Sequence, residues 1–481
     1  MVMSQAGAAQ AADLGPLAWV LDETRRSIET ASKKTLSFAR DAKESLGVDM
    51  SSVDASQLRL ARQQLHQAVG ALDMVGQPVA AQMVRGMEAV VQQFVQHPDK
   101  CTAEAAGVLE KAGFALMEYL EGNLGGKPRP ALGLFPQYAQ IQTMAGADRV
   151  HPADLWDFQW YWANPDTPLA AQRNTYSAEV RGRLDHCVLN IMRRADLNSA
   201  VEMGVVCLGL ADGENEQRPS IFWKLASAFM QALGVEAVRM DIYTKRATSR
   251  ILLQYASLAG GDKKVSERLA QDLLFFCAQA DAQGKDAPVL AAVRKAWGLE
   301  HYQPIAYDKP TFGLYDPAIL AQARRRIEAI KENWSALAGG DTSRLKACVD
   351  QFGLVVDSLT NLHQNSKPLA EALSRVSAHV EQTGQPPSQD LAMETATAVL
   401  FLEASFADFQ PSDTVFTQRL NQLAGRLDAV RSGEQPPALE SWMEELYRSV
   451  SDRETLSTVV GELRTTLGEA EQLLDQFFRA P

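Results

Sequence analysis

The residues with the greatest capacity for chemistry lie in the run Leu65-His66-Gln67-Ala68-Val69-Gly70-Ala71-Leu72-Asp73-Met74-Val75-Gly76. Successive helix residues turn by about 100°, so His66 falls beside the stripe Leu58, Leu65, Leu72. It shares a polar face with Arg59, Arg62, Gln63, Gly70 and Asp73. Such a face is turned to solvent, which leaves the imidazole within reach of another molecule. Gly70 lies one turn beyond, and glycine inside a helix costs about 1 kcal/mol relative to alanine. Its missing side chain makes sense if a second protein approaches the imidazole there. Gly76, followed by Gln77-Pro78, is more simply a helix stop.

Other chemistry finds little support. The chain has no P-loop, no GxGxxG after a strand, no GxSxG elbow and no HExxH pair, so catalysis by the chain itself is not expected and no cofactor or metal is implied. His186 and Cys187 are neighbours on a helix, about 100° apart, and are poorly placed as base and nucleophile. His97, His151, His301, His363 and His379 read as capping or surface residues. The cysteines, Cys101, Cys187, Cys207, Cys277 and Cys348, contain no CxxC pair and read as buried free thiols. Two LAGGD strings, at 258–262 and 337–341, are expected to end one helix on glycine and cap the next with aspartate.

The elements that must position His66 are helices. Apolar residues recur at three- and four-residue intervals along almost every long segment, and the fold class is all-α, a set of tandem helical bundles. The first helix opens at Gly15-Pro16 and carries Leu17, Val20, Leu21, Thr24 and Ile28. Leu58, Leu65, Val69 and Leu72 stripe the second; Val79, Met83, Val84, Met87, Val91 and Phe94 the third; Val108, Phe114, Leu116 and Leu120 the fourth. Four amphipathic helices with short connections predict an antiparallel four-helix bundle over 1–125. The glycine pair and prolines of Gly125-Gly126-Lys127-Pro128-Arg129-Pro130 end it. A linker is expected over 126–168, with rings at alternate residues from Trp156 to Trp162 that dock on the chain's own domains. A middle helical domain follows over 169–300, a second linker over 301–317, and a C-terminal helical bundle over 318–481. Leu274/Leu400, Phe275/Phe401 and Ala278/Ala404 match at a fixed offset, a faint internal echo.

Composition bounds the partners. Of 481 residues, 46% are hydrophobic and 22% charged, the balance of a globular chain, and the net charge of −12 opposes phosphate backbones and anionic lipid. Nucleic acid is not an expected partner. No apolar run approaches the length of a membrane span and the start lacks a signal-peptide pattern, so a cytoplasmic location without membrane insertion is expected.

The pattern HxxxGxxxxxG on the second helix of an acidic bundle resembles the histidine-containing phosphotransfer (HPt) domain. That resemblance implies a phosphoryl group accepted by His66 on a supporting face of Arg62, Gln63, Gln67, Val69 and Gly70. The family places a lysine three residues after the histidine. Here that position is Val69, and Arg62, four residues before His66, is the substitute cation. The wording around it, LHQAVGALDMVGQPVAAQMVRGMEAVVQQ, together with GKPRPALGLFPQYAQIQTMAGADRVHPADLW, RPSIFWKLASAFMQAL, SERLAQDLLFFCAQA and LAMETATAVLFLEASFADF, resembles the N-terminal region of the ChpA/PilL chemotaxis-type hybrid kinases of type IV pili. It is also similar to the FimL scaffolds related to that region. The resemblance implies a signalling scaffold in phosphorelay control of type IV pili and twitching motility. The middle domain would be FimL-like and the last a degenerate HPt-like bundle. Response-regulator receivers, a CheA-like kinase core and polar pilus landmark proteins would be the partners, with recruitment to the cell pole. The alternative it implies is a FimL-like scaffold that works without phosphorylation.

Overall fold

The computed structural model describes residues 15–44, 55–126, 128–407 and 414–449, and every regular element among them is helical. The all-α expectation is met. The chain forms two compact units, residues 1–314 and 315–481.

In the first unit α1 (Gly15–Glu44), α2 (Ser56–Met74), α3 (Pro78–Gln96) and α4 (Ala103–Leu124) pack as a bundle, with α1 against α2 and α4, and α3 against α2 and α4. The turn between α2 and α3 is short, with Gly76 at φ +68° and Pro78 in the first turn of α3, so the two helices double back on each other. Thr102 starts α4 by accepting a hydrogen bond from the Ala105 amide at 3.1 Å. Helix α5 (Phe135–Met144) then lies on α3 and α4. Gly86 of α3 permits this close approach, because a Cβ there would come within 2.7 Å of Gln142 and 2.9 Å of Ile141.

The remaining helices of this unit are α6 (Ala178–Arg194), α7 (Leu197–Gly213), α8 (Gln217–Gly234), α9 (Ile242–Ala259), α10 (Glu267–Ala278) and α11 (Pro288–Ala296). Ser177, Asp196, Asp241 and Ser266 cap four of them with side-chain oxygens. Helix α8 is the hub, packed on α7, α10 and α11, and it buries residues all round its circumference, from Phe222 and Trp223 to Phe229 and Leu233. A helix apolar on every side belongs in a core.

One hydrophobic core runs from Leu17 to Phe312, and this corrects the expected linkers. Residues 126–168 do not separate two cores. Trp156 stacks on Phe158 at 4.5 Å and meets Phe275 of α10 at 5.6 Å. Trp160 stacks on Trp297, and the Trp297 indole donates to the Tyr161 carbonyl at 2.9 Å. The expected docking of these rings within the chain is what the structure shows, because aromatic area of this size gains most when buried. The second linker is likewise shorter than 301–317. Tyr307 donates to Asp241 at 2.6 Å, Gln137 donates to the Phe312 carbonyl at 2.6 Å, and the Phe312 ring covers Gly133 and meets Tyr119 edge-on. The first unit therefore extends to residue 314.

A charged cluster ties the segment after α5 to α10. Arg149 makes a paired contact with Asp272, both bonds at 2.8 Å, and Asp154 accepts from Arg149 and Arg268. His151 caps the short turn Pro152–Leu155, its Nδ1 accepting from the Ala153 amide at 3.1 Å. Burial first, and then the facing Arg149 guanidinium, hold its imidazole down to about 3. The Asp272 carboxylate at 3.6 Å would favour the charged ring, but it is already engaged by Arg149, and burial prevails.

The second unit, described by itself, holds α12 (Pro317–Ala338), α13 (Leu345–Leu362), α14 (Lys367–Thr383), α15 (Gln389–Ala407) and α16 (Thr414–Arg431). They close a ring in which α12 meets α13 and α15, α14 meets α13 and α16, and α15 meets α16. Trp334 fills its core and donates to the Ala392 carbonyl at 3.0 Å, while Arg426 makes a paired, buried contact with Glu394 at 2.6 and 2.8 Å. At the second LAGGD string Gly340 takes φ +100° and Asp341 caps the following turn, as expected. At the first, Gly261 takes φ +90°, but Asp262 binds the Lys264 amide and the helix is capped by Ser266 instead. The part of the C-terminal bundle read over 450–481 lies outside the described residues.

Candidate functional site

Leu58, Ala61, Leu65, Ala68, Val69 and Leu72 are the buried residues of α2, and they fix the rotation of the helix. That rotation turns Arg62, Gln63, His66, Gln67, Gly70 and Asp73 to solvent. The His66 side chain is 76% exposed. Val69 does not belong to this face: it is 7% exposed and sits in the core. It lies four residues after Leu65 and three before Leu72, so the apolar stripe, and not the motif, decides where it points.

The structure adds a residue from the next helix. Glu88 of α3 accepts from Nδ1 of His66 at 3.3 Å, and the Nε of Arg62 lies 3.4 Å from the same carboxylate. A second cross-link, Arg85 to Asp73 at 2.5 and 2.6 Å, runs parallel to it nearer the turn. Glu88 was not among the residues expected from sequence. Its signal is the turn at Gly76-Gln77: in a hairpin of antiparallel helices, counting equal distances from that turn sets residues 87 and 88 opposite His66.

This arrangement has a definite chemistry. A carboxylate can only accept, so the Nδ1 facing Glu88 carries the proton, and the Nε2 lone pair is left for an incoming electrophile. Glu88 can orient the ring, and its charge would offset the positive charge of an imidazole that reacted at Nε2. Arg62 supplies a cation at the same carboxylate.

Gly70 has no atom within 4 Å of where its Cβ would stand. Among the described residues nothing calls for glycine there. Gly70→Ala is expected to raise stability by about 0.5–1 kcal/mol, seen as a higher melting temperature of the full chain. A lower one would mean that the glycine serves internal packing.

The other candidate nucleophiles are set up differently. All five cysteines are buried and free, and burial pushes the Cys187 thiol up to about 12. The neighbouring His186 is exposed and contacts Asn190 at 3.0 Å. His363 is the C-cap of α13, with its ring buried against Phe416 and Nδ1 at 2.9 Å from Ser366. Among the described residues no group of three or more His, Cys, Asp or Glu is arranged to hold a metal, and no helix is long and apolar enough to cross a membrane.

The fold is thus a helical protein with an exposed, carboxylate-paired histidine on its first bundle and a separate helical assembly built around α8. Residues 169–310, which contain that assembly, match the family model described as the FimL scaffold protein second domain. The match begins where the middle domain was expected and ends ten residues later than 300. The reason is visible in the structure. Residues 301–310 belong to this segment physically, through Arg294 to the Tyr302 carbonyl, Ile305 to Gln279, Tyr307 to Asp241 and Asp308 to Arg239. No curated protein and no solved structure matches the chain.

Proposed function

We propose that this chain is a signalling scaffold whose first bundle carries a phosphoacceptor, His66, acting in phosphorelay control of type IV pili and twitching motility. The scaffold part rests on the FimL-like segment. The phosphoryl part rests on one observation, an exposed His66 whose Nδ1 faces Glu88, which leaves Nε2 as the nitrogen free to react. In the transfer step Nε2 attacks phosphorus, an N–P bond forms, and the P–O bond to the donor breaks. The leaving group is ADP when a CheA-like kinase core is the donor, or an aspartyl carboxylate when a response-regulator receiver is. The catalytic machinery belongs to those partners. The exposed face of Arg62, Gln63, Gln67 and Gly70 is where the donor docks, and Gly70 lets it approach the ring. Polar pilus landmark proteins are the remaining partner class, consistent with work at the cell pole on the cytoplasmic side.

The test is phosphotransfer from a phosphorylated kinase core or receiver of the pathway, followed by assay for acid-labile label. Label is expected on the wild type and not on His66→Gln. No label on the wild type, with partner binding retained, would leave a FimL-like scaffold that works without phosphorylation. The buried Val69 in place of the family's lysine favours that second reading.

A further inference from the structure

Within the FimL-like segment, the C-terminal end of α6 and the first turn of α9 meet at one corner, where Lys245 donates to the Met192 carbonyl at 3.2 Å. A shallow cleft there is lined by Met192, Met240, Asp241, Ile242, Lys245 and Arg246. Ile242 is 56% and Met192 42% exposed, and Leu189, one turn before Met192 on α6, is exposed as well. Single exposed apolar residues are ordinary. Here Met192 and Ile242 share the cleft lining with two cations, Lys245 and Arg246, and Arg193 and Arg194 follow Met192 at the end of α6, in a chain of net charge −12.

None of the four forms an ion pair with a carboxylate among the described residues, whereas nearby Arg239 is paired with Asp308 at 2.7 Å. The one acidic lining residue, Asp241, is fully engaged. One oxygen accepts from the Tyr243 and Thr244 amides at 2.8 and 2.9 Å, and the other accepts from Tyr307 at 2.6 Å. Arg193 and Arg194 suit the negative end of the α6 dipole. Lys245 and Arg246 stand near the positive end of α9, where the dipole disfavours them. The bond to Met192 accounts for Lys245, and among the described residues no hydrogen bond or ion pair holds Arg246.

We infer that this corner docks an acidic amphipathic helix of a partner protein, its apolar side chains seated on Met192 and Ile242 and its carboxylates met by Arg246 and Lys245. Helix-in-groove recognition needs an apolar anchor with flanking charge that selects the partner's sign, and both are present. The inference rests on the scaffold reading only in taking a protein segment as the ligand, and it is independent of His66.

The probe is a fluorescein-labelled helical peptide of about 18 residues, roughly five turns, with leucine at i, i+3, i+4 and i+7 and glutamate elsewhere. It is titrated into the full chain by fluorescence anisotropy. Saturable binding is expected, weakened about tenfold or more by Arg246→Glu and by Ile242→Ser, both exposed positions that leave the fold intact. Added salt should weaken it too. Equal binding of a peptide with lysine in place of glutamate would overturn the inference, as would equal affinity for the wild type and both variants, or no saturable binding. Because His66 phosphotransfer is assayed separately, loss of this docking with label intact on His66 would sink this inference alone.

Discussion

Asp272→Ala is expected to destabilise the first unit by about 3–5 kcal/mol, the scale for removing one partner of a buried ion pair. Only 2% of the Asp272 side chain is exposed, and it answers three guanidinium groups: Arg149 through paired bonds at 2.8 Å, Arg250 at 3.6 Å and Arg268 at 3.9 Å. Without it, Arg149 keeps only Asp154, and positive charge accumulates beside His151, a ring that burial keeps neutral. The cluster fastens the segment between α5 and the aromatic strap onto α10, so its loss should also loosen the strap. Urea unfolding followed by circular dichroism reads the first effect, and the difference in tryptophan emission between variant and wild type, to which Trp156, Trp160 and Trp162 contribute, reads the second. Asp272→Asn, which keeps the shape but not the charge, should fall between alanine and wild type. A midpoint for Asp272→Ala indistinguishable from wild type would show that the arginines find solvent or another carboxylate, and the fastening role would be lost.

What the sequence made legible follows from the range over which its signals act. Helix periodicity is local, and Leu58, Leu65 and Leu72 are all in the core, as their spacing requires. The exposed side of α2 is the complement of that stripe, so Arg62, Gln63, His66, Gln67 and Gly70 lie where the wheel sets them. Val69 was caught between two local rules, a motif position and an apolar stripe. Burial of a valine outweighs a motif that asks for a different residue type. The linkers were misread because glycine and proline report where a helix stops, not where a domain does. Trp156, Trp160 and Phe312 hold the irregular segments down through contacts with Phe275, Trp297 and Tyr119, each far away in sequence. Glu88 is of the same kind, since its role exists only once α3 folds back on α2.

Glu88→Gln is expected to slow phosphoryl transfer onto His66 by about ten- to a hundredfold. A hydrogen bond to a charged group contributes about 1.5–3 kcal/mol, and each 1.4 kcal/mol is a factor of about ten in rate. Glutamine preserves the reach across the hairpin and the shape of the contact, but it no longer offsets the positive charge that grows on the ring as Nε2 attacks phosphorus. It can also present its amide nitrogen to Nδ1, which would set the opposite tautomer and put the proton on Nε2, the atom that must attack. Glu88→Ala releases the ring altogether and should cost at least as much. Arg62→Ala separates two roles. The guanidinium touches Glu88 through Nε at 3.4 Å and is half-exposed, so it is placed to meet the transferred phosphoryl group as well as the carboxylate. If its work is to neutralise phosphate, the variant shortens the lifetime of the phosphohistidine more than it slows its formation. Measuring both on the full chain, with His66→Gln as the zero, tells these apart. Equal rates for the wild type and Glu88→Gln would mean that Glu88 only ties α2 to α3, as Arg85 and Asp73 do nearer the turn, and that any donor orients the imidazole itself.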